Sequence, residues 1–331
     1  MVEFGIEFVP SEPYWKTLFY AIQAEKRGFN YLWITDHFNN RNVYVTLTAA
    51  ALQTERIKLG PGVTNPYLIN PVITAQAVAS LNEMAPSRVI LGIGAGDKTT
   101  LRSTGLEMQK PLTAVKESVE IVRRMVSEKS VTFEGEVFKT SDAKFFFKPK
   151  MKIPIYVGAQ GPKMLELAGN IGDGVLINAG HPKDVNYAVG LVKKGVGQVG
   201  KRLTDVDVAA YTSFSVHEDL KKAAEAAVPV VAYVAAGSPD VVLQRHEIDQ
   251  EKARKIGEAL KAGKWGEAFG SVSSKMIEAF SVCGTPEMCI ERINDLLRSG
   301  ISQFVVGSPI GPNVRKSIDL ISERIIPEFK R

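Results

Sequence analysis

The sequence predicts an α/β fold of one specific kind, a closed parallel (β/α)8 TIM barrel in a single domain, and three observations carry the prediction. Apolar strand-like runs alternate with helical runs from one end to the other, the pattern of parallel βα units. Eight strands are expected, with no seam dividing the chain into the two halves of a doubly wound open sheet, the competing architecture. The segments just after these strands are rich in glycine and small polar residues, which is where a barrel keeps its functional groups.

Composition permits that architecture and removes several function classes. At 331 residues and 45% hydrophobic, the chain can bury a large core. No apolar run reaches membrane-spanning length, and the opening Met-Val-Glu-Phe-Gly enters a strand without the basic segment and apolar stretch of a secretion signal. A cytoplasmic protein without a membrane partner is therefore expected. Two cysteines, Cys283 and Cys289, fit neither a zinc site nor a disulfide framework, so they are expected to be packing residues and no metal is expected. A net charge of +5 is small for this length, and no basic block interleaved with aromatics argues for nucleic acid.

In order, Phe4 to Val9 is the first predicted strand. The helix Pro13 to Arg27 follows, with Trp15, Leu18, Phe19 and Ile22 on one apolar face and Gly28 as its stop. Tyr31 to Thr35 is the second strand, and a helix from Thr46 to Thr54 leads to a third at Ile57 to Leu59. Asn70-Pro71 is a cap followed by proline at the first helical position, opening a helix that reaches Met84. Arg88 to Gly92 is the fourth strand, and Val115 to Val126 is helical. Ser130 to Lys139 alternates about Gly135 as a hairpin does, so residues 130–150 are expected to decorate the barrel. Ile155 to Val157, Gly174 to Ile177 and Val206 to Val216 are strands five to seven, with a helix at Lys163 to Ala168 between the first two. Residues 219–280, rich in Ala, Glu and Lys, exceed what one barrel helix needs and are expected to form a helical insertion between strands seven and eight. Thr285-Pro286-Glu287 opens a helix ending at Gly300, Gln303 to Val306 is the eighth strand, and a closing helix starts near Val314.

The strand ends then form a set. They carry Glu7; Asp36 and His37; Gly62, Val63, Thr64 and Asn65; Gly94, Ala95, Gly96 and Asp97; Gly158, Ala159, Gln160 and Gly161; and Asn178, Ala179, Gly180 and His181. Glycine lets a flat ligand approach the main chain, and Pro61 and Pro66 hold the flanks of the third turn extended. Glu7 stands in an otherwise apolar strand, where a carboxylate is normally avoided unless it reaches solvent or a partner. His217 and His246 lie near the insertion and are expected to be ordinary. Gly92 to Thr99 is neither a phosphate loop, since Asp97 would put negative charge into the cradle, nor a dinucleotide fingerprint, since the third glycine is missing.

The ordered set Trp33-Ile-Thr-Asp-His-Phe38, Gly60-Pro-Gly-Val-Thr-Asn65, Arg88 to Gly96 and Pro154-Ile-Tyr-Val-Gly-Ala-Gln-Gly161 resembles the bacterial luciferase-like superfamily. Within it, the whole chain is similar to the deazaflavin-dependent 5,10-methylenetetrahydromethanopterin reductases of archaea. The resemblance implies a barrel that holds coenzyme F420 without a metal. It also implies a non-prolyl cis peptide at Gly62-Val63 against the deazaflavin ring. Asp36, His37, Thr64 and Asn65 would line the ring or its ribityl chain, with Gly94, Ala95 and Gly96 beside them. Gly158, Ala159, Gln160 and Gly161 would take the phosphate at a helix start, and Asn178, Ala179, Gly180 and His181 would add contacts.

The implied reaction is hydride transfer from reduced coenzyme to methylenetetrahydromethanopterin, giving the methyl product of one-carbon metabolism. Ring opening in that substrate needs a proton, for which Glu7 and then Asp97 are the candidate catalytic residues. A deazaflavin-dependent secondary-alcohol dehydrogenase, with His37 as base, and a flavin-dependent monooxygenase are the alternatives. A sugar-phosphate substrate would want a basic cluster that the strand ends lack, and a non-catalytic flavin binder would not need the carboxylates. Relatives of this kind associate, so a homodimer or homotetramer is expected.

Overall fold

A computed structural model describes residues 2–147, 149 and 151–330 of the chain. Residues 148 and 150 of the expected 130–150 decoration, and residues 1 and 331 of the expected domain, lie outside that description.

Eleven strands occur among the described residues. They are β1 (Glu3–Phe8), β2 (Tyr31–Ile34), β3 (Lys58–Pro61), β4 (Leu91–Ile93), β5 (Val131–Glu134), β6 (Lys139–Ala143), β7 (Ile155–Ala159), β8 (Gly174–Ile177), β9 (Asp207–Val216), β10 (Val282–Gly284) and β11 (Gln303–Ile310). Eight of them lie in the hydrogen-bonded order β3-β2-β1-β11-β9-β8-β7-β4. Parallel bridges Leu59–Val89 and Thr64–Ile93 bring the two ends of this order together, so the eight parallel strands form a nearly closed barrel. The predicted fold class is thus the observed one, and each predicted strand overlaps an observed one.

By contact the chain falls into two compact units. The first comprises Gly5–Leu176 with Gly190–Val208. Its strand interiors carry Leu32, Trp33, Ile34, Leu59, Ile90 and Leu91, all essentially without solvent contact. Trp33 stacks on Tyr31 with ring centres 6.2 Å apart and meets Tyr156 edge-on at 5.2 Å. Burying such rings removes large apolar areas from water at roughly 25 cal/mol per Å². Gly60 is small for a packing reason, since a Cβ there would fall 2.1 Å from the Ile90 carbonyl oxygen of the neighbouring strand. The hairpin β5–β6 is antiparallel as expected. Its turn is fixed by the buried Glu117 carboxylate, which accepts from the backbone N–H groups of Glu136, Val137 and Phe138 at 2.7, 3.0 and 2.9 Å.

The helix expected from Pro13 to Arg27 is present, and its fully buried residues are small ones. Helix Tyr14–Lys26 turns Thr17, Ala21 and Ala24 inward, and leaves Trp15 and Phe19 of the expected apolar face 59% and 43% exposed. Small residues face inward because the helix lies against its neighbour, helix Val43–Gln53, which also buries threonine and alanine there. The bulky stripe looks away from the packed side.

The second unit comprises Met1–Phe4, Ile177–Val189 and Ala209–Arg331. Phe214 and Phe304, on β9 and β11, meet edge-on with ring centres 5.9 Å apart. The insertion is present as five helices, Leu220–Gly237, Asp240–Arg245, Gln250–Lys261, Trp265–Gly270 and Ser274–Phe280. They share a buried cluster that includes Val231, Leu243, Ile256, Met276 and Phe280. β10, which pairs parallel with β9, has no counterpart among the expected strands. Three residues are too few to show a period. Cys289 is buried and Cys283 half-buried, both free; burial pushes the Cys283 thiol up to about 11, as suits packing residues. Among the described residues no helix is long and apolar enough to cross a membrane.

Candidate active site

In the first unit, Glu7 ends up 5% exposed on β1, in register with Trp33 of β2. Register partners on adjacent strands point to the same face of a sheet, so the carboxyl shares its face with the aromatic pair Trp33 and Tyr156. The next turn, after β3, contains the cis peptide Gly62-Val63 that the resemblance implied. Val63 fills a recess that only glycines leave open. Cβ atoms built at Gly92, Gly94 and Gly158 would come within 3.1, 3.0 and 3.1 Å of its methyl groups.

Thr64 is fully buried and pinned at both backbone groups. Its N–H donates to the Gly92 carbonyl at 3.0 Å, and its carbonyl accepts from the Gly94 N–H at 2.9 Å. The side chain of Asn65 is taken up locally, accepting from the Tyr67 and Leu68 N–H groups at 3.2 and 3.0 Å. Four buried side-chain oxygens in this region, Thr35 Oγ1, Asp36 Oδ2, Tyr44 Oη and Thr64 Oγ1, have no hydrogen-bond partner among the described residues. Native interiors leave few such atoms unsatisfied, so their clustering marks a place built to receive polar atoms from elsewhere.

Burial pushes the Asp36 carboxyl above its ordinary value, against a weaker opposing pull from the nearby Thr64 hydroxyl and from His37. Thr64 Oγ1 makes no hydrogen bond of normal geometry, so that pull is proximity alone. His37 and Phe38 are exposed. Asp97 is also exposed, and its carboxylate caps helix Lys98–Ser103 by accepting from the Thr100 N–H at 2.8 Å. Gly96 adopts φ +76° against the Asn65 side chain. Gly161 is the N-cap of helix Pro162–Ile171, and a Cβ there would meet nothing within 4 Å, leaving open space before the free N–H groups of that helix start.

The last predicted segment, Asn178 to His181, belongs to the second unit. His181 Nδ1 accepts from the Lys183 N–H at 3.1 Å, which places the proton of a neutral ring on Nε2. Burial first, then the Arg292 and His246 charges, push its pKa down to about 4. Its ring meets His246 edge-on at 4.7 Å. His246, for which the sequence suggested no role, is 5% exposed and lies 2.6 Å from Asp184 Oδ2, while Arg245 pairs with the other oxygen of the same carboxylate. His217 serves its own turn by accepting from the Asp219 N–H at 2.9 Å. Asp184 and His246 are 62 positions apart, and no local spacing could have joined them.

Among the described residues, no group of three or more His, Cys, Asp or Glu side chains could hold a metal ion. The unsatisfied oxygens and the open helix start suit a polar-edged molecule carrying a phosphate.

Comparison with known proteins gives a consistent set. The family pattern described as luciferase-like monooxygenase matches residues 6–303. A 5,10-methylenetetrahydromethanopterin reductase of Archaeoglobus fulgidus is 51% identical, over 99% of this chain and the full length of the relative. The solved structure of the coenzyme F420-dependent tetrahydromethanopterin reductase of Methanopyrus kandleri is 44% identical, covers 99% of each chain and superposes with a TM-score of 0.95. A solved F420-dependent secondary alcohol dehydrogenase, in complex with an F420–acetone adduct, is 27% identical with a TM-score of 0.83 and covers 98% of each chain.

Proposed function

The chain belongs to the luciferase-like monooxygenase family, and we propose that within it the protein is a reductase that transfers hydride from reduced coenzyme F420 to methylenetetrahydromethanopterin. The observation that carries this reading is identity of 44 to 51% to reductases of that name, over 98 to 99% of this chain.

When bound, a reduced deazaflavin supplies a hydride and is poorly suited to one-electron or oxygen chemistry. The residues present would hold it as follows. The Gly62-Val63 turn and the glycines around it would lie against the ring. Asp36, His37, Thr64 and Asn65, with Gly94, Ala95 and Gly96, would line the ring and its chain. The N–H groups at Gly158, Ala159, Gln160 and Gly161 would meet the phosphate. Asn178, Ala179, Gly180 and His181 keep their proposed role as coenzyme contacts on the resemblance alone.

The protein's own chemical task is at the substrate. Opening the methylene bridge needs a proton on the departing nitrogen, which a carboxyl positioned at the strand ends could deliver. Glu7 is buried and shares a face with the aromatic floor, so it is the proposed donor; Asp97, exposed and engaged as a cap, is the second candidate. Trp33 and Tyr156, in edge-on contact at 5.2 Å, would help keep water from that face.

Two further readings accompany this one. Residues 1–331 are proposed as one barrel domain with its hairpin and helical insertion, working in the cytoplasm. A homodimer or homotetramer is proposed because Trp15, Phe19, Val45 and Leu52 expose large apolar side chains on two neighbouring helices.

The test is anaerobic mixing of the pure protein with reduced F420 and methylenetetrahydromethanopterin, following the absorbance of oxidised deazaflavin. Appearance that requires both components supports the reading. Tight coenzyme binding without turnover moves the substrate to a secondary alcohol, and binding of flavin mononucleotide in place of F420 moves the protein to the monooxygenase branch.

A further inference from the structure

Asp36 stands two residues beyond β2, half-buried, in a setting that provides little for a negative charge. Its Oδ2 is buried without a hydrogen bond, and among the described residues no ion pair reaches it. The nearest guanidinium along the chain, Arg41, is committed to the carbonyls of Pro10 and Ser11 at 3.3 and 2.7 Å. Facing it from the turn after β3 is the Thr64 hydroxyl, and from helix Val43–Gln53 the Tyr44 phenol; neither oxygen has a partner. His37, on the same segment, is the other titratable neighbour.

An ionised carboxylate in this place would keep one oxygen buried without a donor or an ion pair, which disfavours the charged form. An unionised carboxyl needs neither, and it carries an O–H that can be donated. The Thr64 backbone is held by its bonds to Gly92 and Gly94, which keeps the residue beside Asp36.

We propose that Asp36 acts as an uncharged acid, donating a hydrogen bond to a carbonyl oxygen or ring nitrogen of the flat heterocycle bound at these strand ends, with Thr64 as its positioning residue. The identity of that heterocycle rests on the deazaflavin reading above; the protonation state of Asp36 does not. The direction of the carboxyl's shift agrees, since burial raises it and the Thr64 hydroxyl and His37 oppose this less strongly. Tyr44 stays protonated as well, raised by burial and then by Asp36, and so adds no charge of its own to the group.

The test uses the full chain labelled with 13C at the aspartate side-chain carboxyls and titrated by NMR between about pH 4 and 9. The resonance missing from Asp36→Asn belongs to Asp36; if that variant does not fold, the resonance displaced in Thr64→Val identifies it. The expected midpoint lies above the pH at which the coenzyme is bound and moves further up in Thr64→Val, because the hydroxyl that favours the ionised form has gone. A midpoint below that pH, or one indifferent to Thr64→Val, overturns the proposal.

Binding of oxidised F420, followed by its fluorescence over the same range, tests the donor role. Affinity should be constant below the midpoint and fall about tenfold per pH unit above it, and this dependence should be absent in Asp36→Asn. Affinity that ignores the midpoint overturns the donor role. No coenzyme binding at any pH overturns the deazaflavin reading, while the NMR midpoint still decides whether the acid is neutral.

Discussion

Asp36 and Asp184 are both half-buried, and for both burial is the largest influence, pushing the carboxyl up. They end on opposite sides of the ordinary value. Asp184 has His246 at 2.6 Å and Arg245 on its other oxygen, and these hold it below the usual range. Asp36 has only a hydroxyl and an exposed histidine nearby, so burial prevails. A carboxylate whose partners are supplied by the fold is working for the fold. One whose partners are missing, at the end of a barrel strand beside a glycine-lined recess, is available to a ligand.

The comparison can be pressed hardest at Glu7, the other buried carboxyl of the strand-end group. If that group serves chemistry, Glu7→Gln should lower turnover by about 10² to 10⁴-fold, the usual worth of a positioned general acid, with the denaturation midpoint little changed. Asp97→Asn, at an exposed cap, should cost far less in rate. Anaerobic steady-state turnover of both variants checks this, and wild-type turnover in both would remove the strand-end carboxylates from the mechanism.

Asp184→Asn should show the reverse profile. It leaves Arg245 and His246 without their shared partner, in a region where the three side chains are 4 to 21% exposed. Breaking such a pair costs about 3 kcal/mol or somewhat more, readable as a lower urea midpoint at neutral pH. The sign of the pH dependence follows from the lowered carboxyl. Its stabilisation is complete above the unfolded value near 3.8 and disappears as pH falls through the folded value, so the gap between wild type and variant should close in acid. A gap that persists there would mean the loss comes from packing and not from charge.

The sequence made the barrel legible because alternation and strand-end glycines are local signals, each readable within a dozen residues. Val63 among Gly92, Gly94 and Gly158 could be anticipated as a glycine-rich set, although the recess itself arises only when three strands meet. What stayed hidden was non-local or misleading. Asp184 and His246 are joined by tertiary folding alone. Trp15 and Phe19 make an apolar stripe of the right period, yet the helix packs through Thr17, Ala21 and Ala24, so the period marked a face without saying what covers it. The bond from the Thr100 N–H to Asp97 was also not legible, because a strand-end carboxylate and a helix cap look alike in sequence.

The smallest expected effect is also the one that most directly sets the two aspartates apart. A carboxyl whose folded value is raised contributes stability that is complete below the unfolded value and is lost as pH rises through the folded one. At neutral pH, wild-type Asp36 therefore weakens the fold relative to a neutral isostere, and Asp36→Asn should raise the urea midpoint there while leaving it unchanged near pH 3. The gain should be smaller than the loss in Asp184→Asn, because Asp36 gives up only an unfavourable ionisation equilibrium, whereas Asp184 gives up two formed partners. A lower midpoint for Asp36→Asn at neutral pH would make Asp36 a second Asp184, a charge that the fold depends on, and the distinction between the two regions would fail at the residue where it is drawn most sharply.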